Sequence, residues 1–179
     1  MATAQEILLT SETFVKSVLP ISDNISGKYI QAAIREAQEM GLKRIVGTAL
    51  LEKLKDLCAA DELDANPAYK ELVDESQYYL AYKAGSELCL KVSFKIANMG
   101  VVKTTDDNVE SVGIEDVDRI AAEYQHKADT CAYELQGWIL KHAQSFPELC
   151  ENDCRTIRAN LKSSATCGLW LGGVRGKRR

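Results

Sequence analysis

The chain has 179 residues, enough for one domain with a substantial core, and its 46% hydrophobic content is ordinary for a soluble protein. No segment approaches the roughly 18 consecutive apolar residues of a membrane-spanning helix, and the first residues lack the basic and apolar regions of a signal peptide. We therefore expect a soluble protein that is made in a cytoplasm and has no membrane partner. The net charge is −4.

Residues 11–59 predict short amphipathic helices. Ser11 is expected to cap a helix over residues 12–18. Two more helices, joined by a tight corner, are predicted in residues 26–59, with Ser26 as N-cap and Gly41 ending the first of them in the left-handed conformation. The apolar side chains that recur at helical spacing and are expected to face the core are Tyr29, Ile30, Ala33, Ile34, Ala37, Met40, Leu42, Ile45, Val46, Leu50, Leu51, Leu54 and Leu57.

Two long helices follow, separated by a polar loop. Asn66 and Pro67 suit the N-cap and first position of a helix that ends near Gly100. Three carboxylates in residues 115–118 favour the start of the second helix, because they interact well with the helix dipole; this helix is expected to end before Pro147. The predicted buried stripes are Leu72, Ser76, Leu80, Ala84, Leu88, Val92 and Ile96 in the first helix, and Val117, Ile120, Ala121, Tyr124, Ala128, Cys131, Leu135, Trp138, Ile139 and His142 in the second. We see no two-residue alternation that predicts a strand.

These elements predict an all-α fold, an antiparallel long-helix bundle of about four helices with an extended C-terminal arm. We place the helical domain at residues 1–147 and the arm at residues 148–179, with a short helix near residues 153–161. The glycine-rich end of the arm is too short to fold alone, so we expect it to order against a neighbouring protein.

The predicted partner-binding site lies at the end of the arm. It combines the apolar anchor Leu169, Trp170 and Leu171 with the cations Arg175, Lys177, Arg178 and Arg179. Without these four cations the chain keeps 18 of its 22 basic residues against 26 acidic ones, a balance of −8. An acidic body with a basic end suggests a tail that docks on an acidic partner.

Nothing in the sequence supports an enzyme, a metal site or a cofactor. We interpret His126 as a surface or interface residue and His142 as a partly buried structural one, and there is no glycine-rich phosphate-binding motif. Cys150 and Cys154, with His142 upstream, have a spacing that matches no common zinc pattern. The six irregularly spaced cysteines are expected to be reduced, because the chain is large and lacks a secretion signal.

The segment from Asp23 to Leu54 resembles the head–tail connector family of Bacteroidales phages, which includes the neck ring proteins of crAss-like viruses. The elements that carry the resemblance are AIREAQ at residues 33–38, LKRIVG at residues 42–47 and LLEKL at residues 50–54. The paired long helices and the glycine-rich basic end are also similar to the family.

The resemblance implies a structural virion protein, a head–tail adaptor in the neck that is assembled in the host cytoplasm. It implies a homo-oligomeric ring, commonly of twelve copies, that contacts the portal and other neck or tail ring proteins while genomic DNA passes through its channel. The alternative is a small cytoplasmic helical module that binds nucleic acid through its basic C-terminal tail. The acidic body and the lack of an Arg- or Lys-rich recognition helix favour the adaptor.

Overall fold

The structure, a computed structural model, describes residues 7–22, 25–97, 100–103 and 114–151. The helices in these ranges are α1 (Glu12–Val18), α2 (Gly27–Glu36), α3 (Lys43–Val46), α4 (Thr48–Ala59), α5 (Pro67–Ser93), α6 (Ile114–Lys141) and α7 (Glu148–Glu151). A π-helical segment, Ala37–Leu42, joins α2 to α3, and 3₁₀ turns occupy Leu63–Ala65 and Ala143–Ser145. The predicted all-α class is confirmed.

The predicted starts of α1 and α5 are also confirmed. The Ser11 hydroxyl accepts a hydrogen bond from the Phe14 N–H (3.1 Å), which caps α1 at the expected residue. α5 begins at Pro67, and the Asn66 carbonyl accepts from the Lys70 N–H (3.1 Å). Ser26 stands at the N-cap position of α2, but its side chain makes no capping hydrogen bond.

A short β-hairpin follows α5, where the sequence had predicted continued helix and no strand, so that prediction is wrong. α5 ends at Ser93, and β1 (Phe94–Ala97) pairs antiparallel with β2 (Gly100–Lys103), with Ala97 opposite Gly100. Residues 92–97 read VSFKIA, an alternation of large apolar with smaller or polar residues. Because Val92 and Ile96 are also four apart, they fit a helical stripe equally well, and β-branched and aromatic content favours the strand.

α5 and α6 form the long antiparallel hairpin at the centre of the fold. Midway along it, Lys83 Nζ donates a hydrogen bond to Gln125 Oε1 (2.8 Å). With 27 and 28 residues, the two helices are each about 40 Å long at about 1.5 Å per residue. The predicted α5 stripe is buried at Leu72, Ser76, Leu80, Ala84 and Leu88.

The buried stripe of α6 is narrower than predicted. Ala121, Ala128 and Leu135, spaced two helical turns apart, are buried together with Ile139. Ile120 is 41% exposed, although the prediction placed it in the core. α6 packs mainly against α5 and also touches α3, so only the side chains nearest the α5 axis are enclosed.

The corner between α2 and α4 differs from the prediction at its glycine. Gly41 does not end a helix in the left-handed conformation; it is buried inside the π-helical segment. The residue with positive φ is Gly47 (φ 86°), which separates α3 from α4. A π-helical turn contains more residues than an α-helical turn. The helical phase therefore shifts within this segment, and Met40, predicted to be buried, is exposed.

Gly41 is required because Tyr79 approaches its backbone closely. A Cβ atom on Gly41 would lie 2.4 Å from Tyr79 Oη. Tyr79 is itself buried, and this burial raises the pKa of Tyr79 to about 12. The ring has little room to retreat, so the small residue is needed for packing and not for backbone conformation.

Gly41→Ala is expected to lower the free energy of unfolding by about 1–3 kcal/mol, because the added methyl group overlaps the Tyr79 hydroxyl. Urea denaturation measures this difference. In a Tyr79→Phe background the oxygen is gone, so the same Gly41→Ala change should cost about half as much or less. An equal loss in both backgrounds would show that the Tyr79 hydroxyl is not the obstacle.

Candidate functional site

The seven residues predicted to bind a partner, Leu169, Trp170, Leu171, Arg175, Lys177, Arg178 and Arg179, lie outside the described residues, as do Cys154 and the helix predicted near residues 153–161. The described part of the chain ends at Glu151 in α7. The described residues nevertheless contain two open apolar surfaces.

The first surface is an apolar groove of about 760 Å³ at the end of the α5–α6 hairpin that carries the strands. Its walls come from α5, from α6 and from the connection between α1 and α2. The main lining residues are Leu88 and Val92 of α5, Val117, Ile120 and Tyr124 of α6, and Leu19, Ile21 and Ile25 of the connection. The sequence had assigned the α5 and α6 residues to the core, and it missed the groove because Ile21 and Ile25 belong to no helix.

The α1–α2 connection forms one wall because it lies tightly against α5. A Cβ atom on Gly85 would be 2.8 Å from Leu19 Cδ1 and 3.5 Å from Tyr124 Cγ. The Leu19 N–H donates to the Val15 carbonyl (2.9 Å), and the Ile21 N–H donates to the Leu19 carbonyl (2.7 Å). These contacts fix the described residues 19–21 against α5, and the groove lies between Ile21 and α6.

The α6 side of the groove has an acidic edge. Glu115 and Asp118 flank Val117 and are exposed, while Asp116 forms an ion pair with Arg119 (3.2 Å). In the groove wall itself, burial raises the pKa values of Cys89 and Tyr124. An apolar floor beside carboxylates fits a ligand that is apolar at one end and cationic at the other.

The second surface is an exposed face of α6 formed by Tyr133, Gly137 and Leu140, which we call the outer α6 face. Tyr133 is 70% exposed and Leu140 is 48% exposed. Apart from its chain neighbours and the backbone of its own helix, a Cβ atom on Gly137 would meet no atom of the described residues within 4 Å. Glycine inside a helix costs about 1 kcal/mol relative to alanine, and packing within the described chain does not require it here.

The other end of the hairpin is closed by α7. The Tyr69 hydroxyl donates to the Glu148 carboxylate (2.9 Å to Oε1), and burial together with Glu148 raises the pKa of Tyr69 to about 12. Phe146 is fully buried, with its ring edge-on to Tyr69 at 5.4 Å between centroids.

His142, predicted to be partly buried, is exposed, and its ring lies against the Trp138 ring with 4.2 Å between the two ring centroids. The helix has ended at Lys141, so the chain carries His142 away from the core.

Among the described residues, no group of three or more His, Cys, Asp or Glu side chains could hold a metal ion. Cys58 and Cys131 are thiols whose pKa values are raised by burial, which lowers their reactivity as nucleophiles. His126 is exposed on α6. None of the helices in the described ranges is long and apolar enough to cross a membrane.

Comparison with known proteins gives a match to a protein family. No curated protein and no solved structure matches the chain. The model of DUF6712, a family of unknown function, matches residues 42–159, which is 118 of the 179 residues. The match begins at the end of the π-helical segment, so it includes the LKRIVG and LLEKL elements and leaves out AIREAQ. The chain therefore belongs to the DUF6712 family of unknown function.

Proposed function

We propose that this protein is a structural virion protein, a head–tail adaptor that assembles into an oligomeric ring between the portal and the tail. It is assembled in the host cytoplasm and acts in the neck of the particle as a building block, not as an enzyme. The observation that carries the proposal is the outer α6 face, where an apolar surface with a central glycine has no partner in the described part of the chain. The resemblance of residues 23–54 to phage connector proteins supports the same function.

The outer α6 face suits packing against a second copy. Tyr133, Gly137 and Leu140 follow one another at intervals of four and three residues, so they share one side of the helix. Gly137 leaves a recess between two protruding apolar side chains, and a neighbouring helix could approach the backbone closely there. Burying Tyr133 and Leu140 would remove from water apolar area that the single chain leaves exposed.

The α5–α6 hairpin suits a load-bearing subunit. Its two helices are each about 40 Å long and bury side chains from Leu72 to Leu88 in α5 and from Ala121 to Ile139 in α6. The closing contacts of Tyr69, Phe146 and Glu148 hold one end. Because close-packed interiors deform little, a hairpin of this kind can transmit force between the rings above and below it.

The charge of the body suits a channel through which DNA passes. Without its last four cations the chain has a balance of −8, from 18 basic and 26 acidic residues. Affinity for DNA rises with the number of phosphates that a protein neutralises. An acidic ring would therefore let DNA move through without retaining it.

Gly137→Leu tests the assembly. The change adds a side chain to open space, so the folded monomer should keep or gain stability. It should also block close approach at the outer α6 face and prevent ring formation with the portal, as measured by native mass spectrometry and negative-stain imaging. Lys53→Leu, which adds a leucine at an exposed position of α4, is the matched control and should assemble normally. Normal rings from Gly137→Leu, or no wild-type ring with the portal, would contradict the proposal.

Deleting residues 168–179 is expected to leave the bundle folded by circular dichroism and to block stable incorporation into particles. The deletion removes the anchor and the four cations, which lie outside the described bundle. The nucleic-acid alternative predicts instead that salt-dependent DNA retention disappears when only residues 175–179 are removed. Truncated protein at normal occupancy in the neck would rule out a docking role for this segment.

A further inference from the structure

We propose that the apolar groove binds the Leu169–Leu171 anchor of a neighbouring copy of this chain. The inference rests on the proposed ring, because the ring brings a second copy within reach. It assigns both halves of the contact: the groove between α5, α6 and the α1–α2 connection receives the anchor, and the acidic edge of α6 receives the cations that follow it.

The groove has the size and surface for such an anchor. Its volume of about 760 Å³ lies within the range of roughly 300–1,000 Å³ that is typical of pockets for compact ligands. Ile120 is 41% exposed on its wall, so the described chain leaves apolar surface open there. Tryptophan is enriched among the few residues that carry most of the binding energy of an interface, and Trp170 is flanked by leucines on both sides.

The charges of the two segments are complementary. The first turn of α6, residues 114–118, contains three acidic residues and no basic one: Glu115, Asp116 and Asp118. Residues 155–179 contain seven basic residues and no acidic one. The first cation of the tip, Arg175, follows Leu171 by four residues, at most about 14 Å of extended chain. When the anchor occupies the groove, the cations can therefore reach the acidic edge.

The length of the chain permits the contact. The described chain ends at Glu151, at the opposite end of the hairpin from the groove. Ile120 and Lys141 are separated by about 32 Å along α6, and the 18 residue steps from Glu151 to Leu169 span up to about 60 Å. Reaching its own groove would require the arm to run back along its own bundle. The proposed ring supplies a second copy, and the contact requires the groove of that copy to lie within about 60 Å of Glu151.

Crosslinking from position 170 tests the assignment. The full chain is prepared with the photoreactive amino acid p-benzoylphenylalanine in place of Trp170, and equal amounts of ¹⁴N- and ¹⁵N-labelled protein are mixed before illumination. We expect crosslinked peptides of mixed isotope composition that join position 170 to residues 85–92 or 117–124. Three results would each overturn the proposal. They are crosslinks only between peptides with the same isotope label, crosslinks to residues outside the groove, and no crosslinks because another segment covers the groove.

A matched pair of variants tests the groove without the photoreactive group. Ile120→Lys places a cation in the groove, and Leu90→Lys places one on α5 at a position that is also 41% exposed but does not line the groove. Ile120→Lys should weaken self-association of the full chain at least about tenfold by analytical ultracentrifugation, as Trp170→Ala should, while Leu90→Lys should have little effect. Circular dichroism confirms that each variant is folded. Equal effects of the two lysines would overturn the groove assignment.

The crosslinking experiment can fail or succeed independently of the proposed adaptor function. If rings form with the portal but position 170 does not reach the groove of another copy, the adaptor function stands and this inference fails. If copies crosslink through the groove but the protein is absent from particle necks, the contact stands and the adaptor function fails.

Discussion

Phe146→Ala is expected to lower the free energy of unfolding by about 3–5 kcal/mol, the range for truncating a buried aromatic side chain. Phe146 is fully buried and packs against Tyr69 and Trp138, so its removal leaves a cavity between α5, α6 and α7. It also loosens the turn that brings Glu148 to the Tyr69 hydroxyl. Chemical denaturation at concentrations where the protein is monomeric measures the effect.

Tyr133→Ala is the matched control for Phe146→Ala. It truncates an aromatic side chain that is 70% exposed on α6, and it should change monomer stability by no more than about 0.5 kcal/mol. If the two variants lose the same stability, the segment that follows α6 does not belong to the cooperative core. If Phe146→Ala lowers the free energy of unfolding and Tyr133→Ala does not, the cooperative core continues through Leu149, which is also buried.

Leu135→Ala is expected to cost about 2–5 kcal/mol, because Leu135 is 2% exposed in the buried stripe of α6. The residue lies two turns from Ala128 and one turn from Ile139, and all three face the core. Few side chains nearby can move to fill the space, since both helices are held along their length. The same denaturation measurement applies.

Leu140→Ala, on the same helix and with the same change of side chain, is the control for Leu135→Ala. Leu140 is 48% exposed, so its truncation should have only a small effect on the monomer. A change within about 0.5 kcal/mol for Leu135→Ala would mean that the α6 stripe is not enclosed in solution. A large effect for Leu140→Ala would mean that the outer α6 face is already covered in the monomer.

The adaptor function and the docking role of the arm differ in what supports them. The adaptor function depends on the resemblance of residues 23–54 and on the outer α6 face, and only LKRIVG and LLEKL of the resembling elements fall within the family match. The docking role of Leu169–Leu171 depends on composition: apolar anchors, glycines and cations in one short segment. Particle incorporation and crosslinking address them separately, so one can fail without the other.

The sequence by itself determined the all-α class, the buried α5 stripe from Leu72 to Leu88 and the starts of α1 and α5. Those features depend on local chemistry: Ser11 caps the nearest N–H groups, Pro67 suits a first helical turn, and leucines four residues apart lie on one side of a helix. A neighbour in the chain supplies each interaction, so the residue pattern is sufficient to predict it.

Only the tertiary structure decided what Gly41, Ile120 and Gln38 do. Gly41 accommodates Tyr79 from another helix, Ile120 lines a groove whose third wall comes from the α1–α2 connection, and the buried Gln38 accepts from the Leu9 N–H and donates to the Ile7 carbonyl, 3.0 Å in each case. The two hydrogen-bond partners of Gln38 are 29 and 31 residues away in the sequence, and the residues that contact Gly41 and Ile120 lie on other elements. Periodicity reports which side of a helix is apolar, but it does not report which other segment covers that side or leaves it open. The groove therefore follows from packing between distant segments, and the residue pattern alone could not predict it.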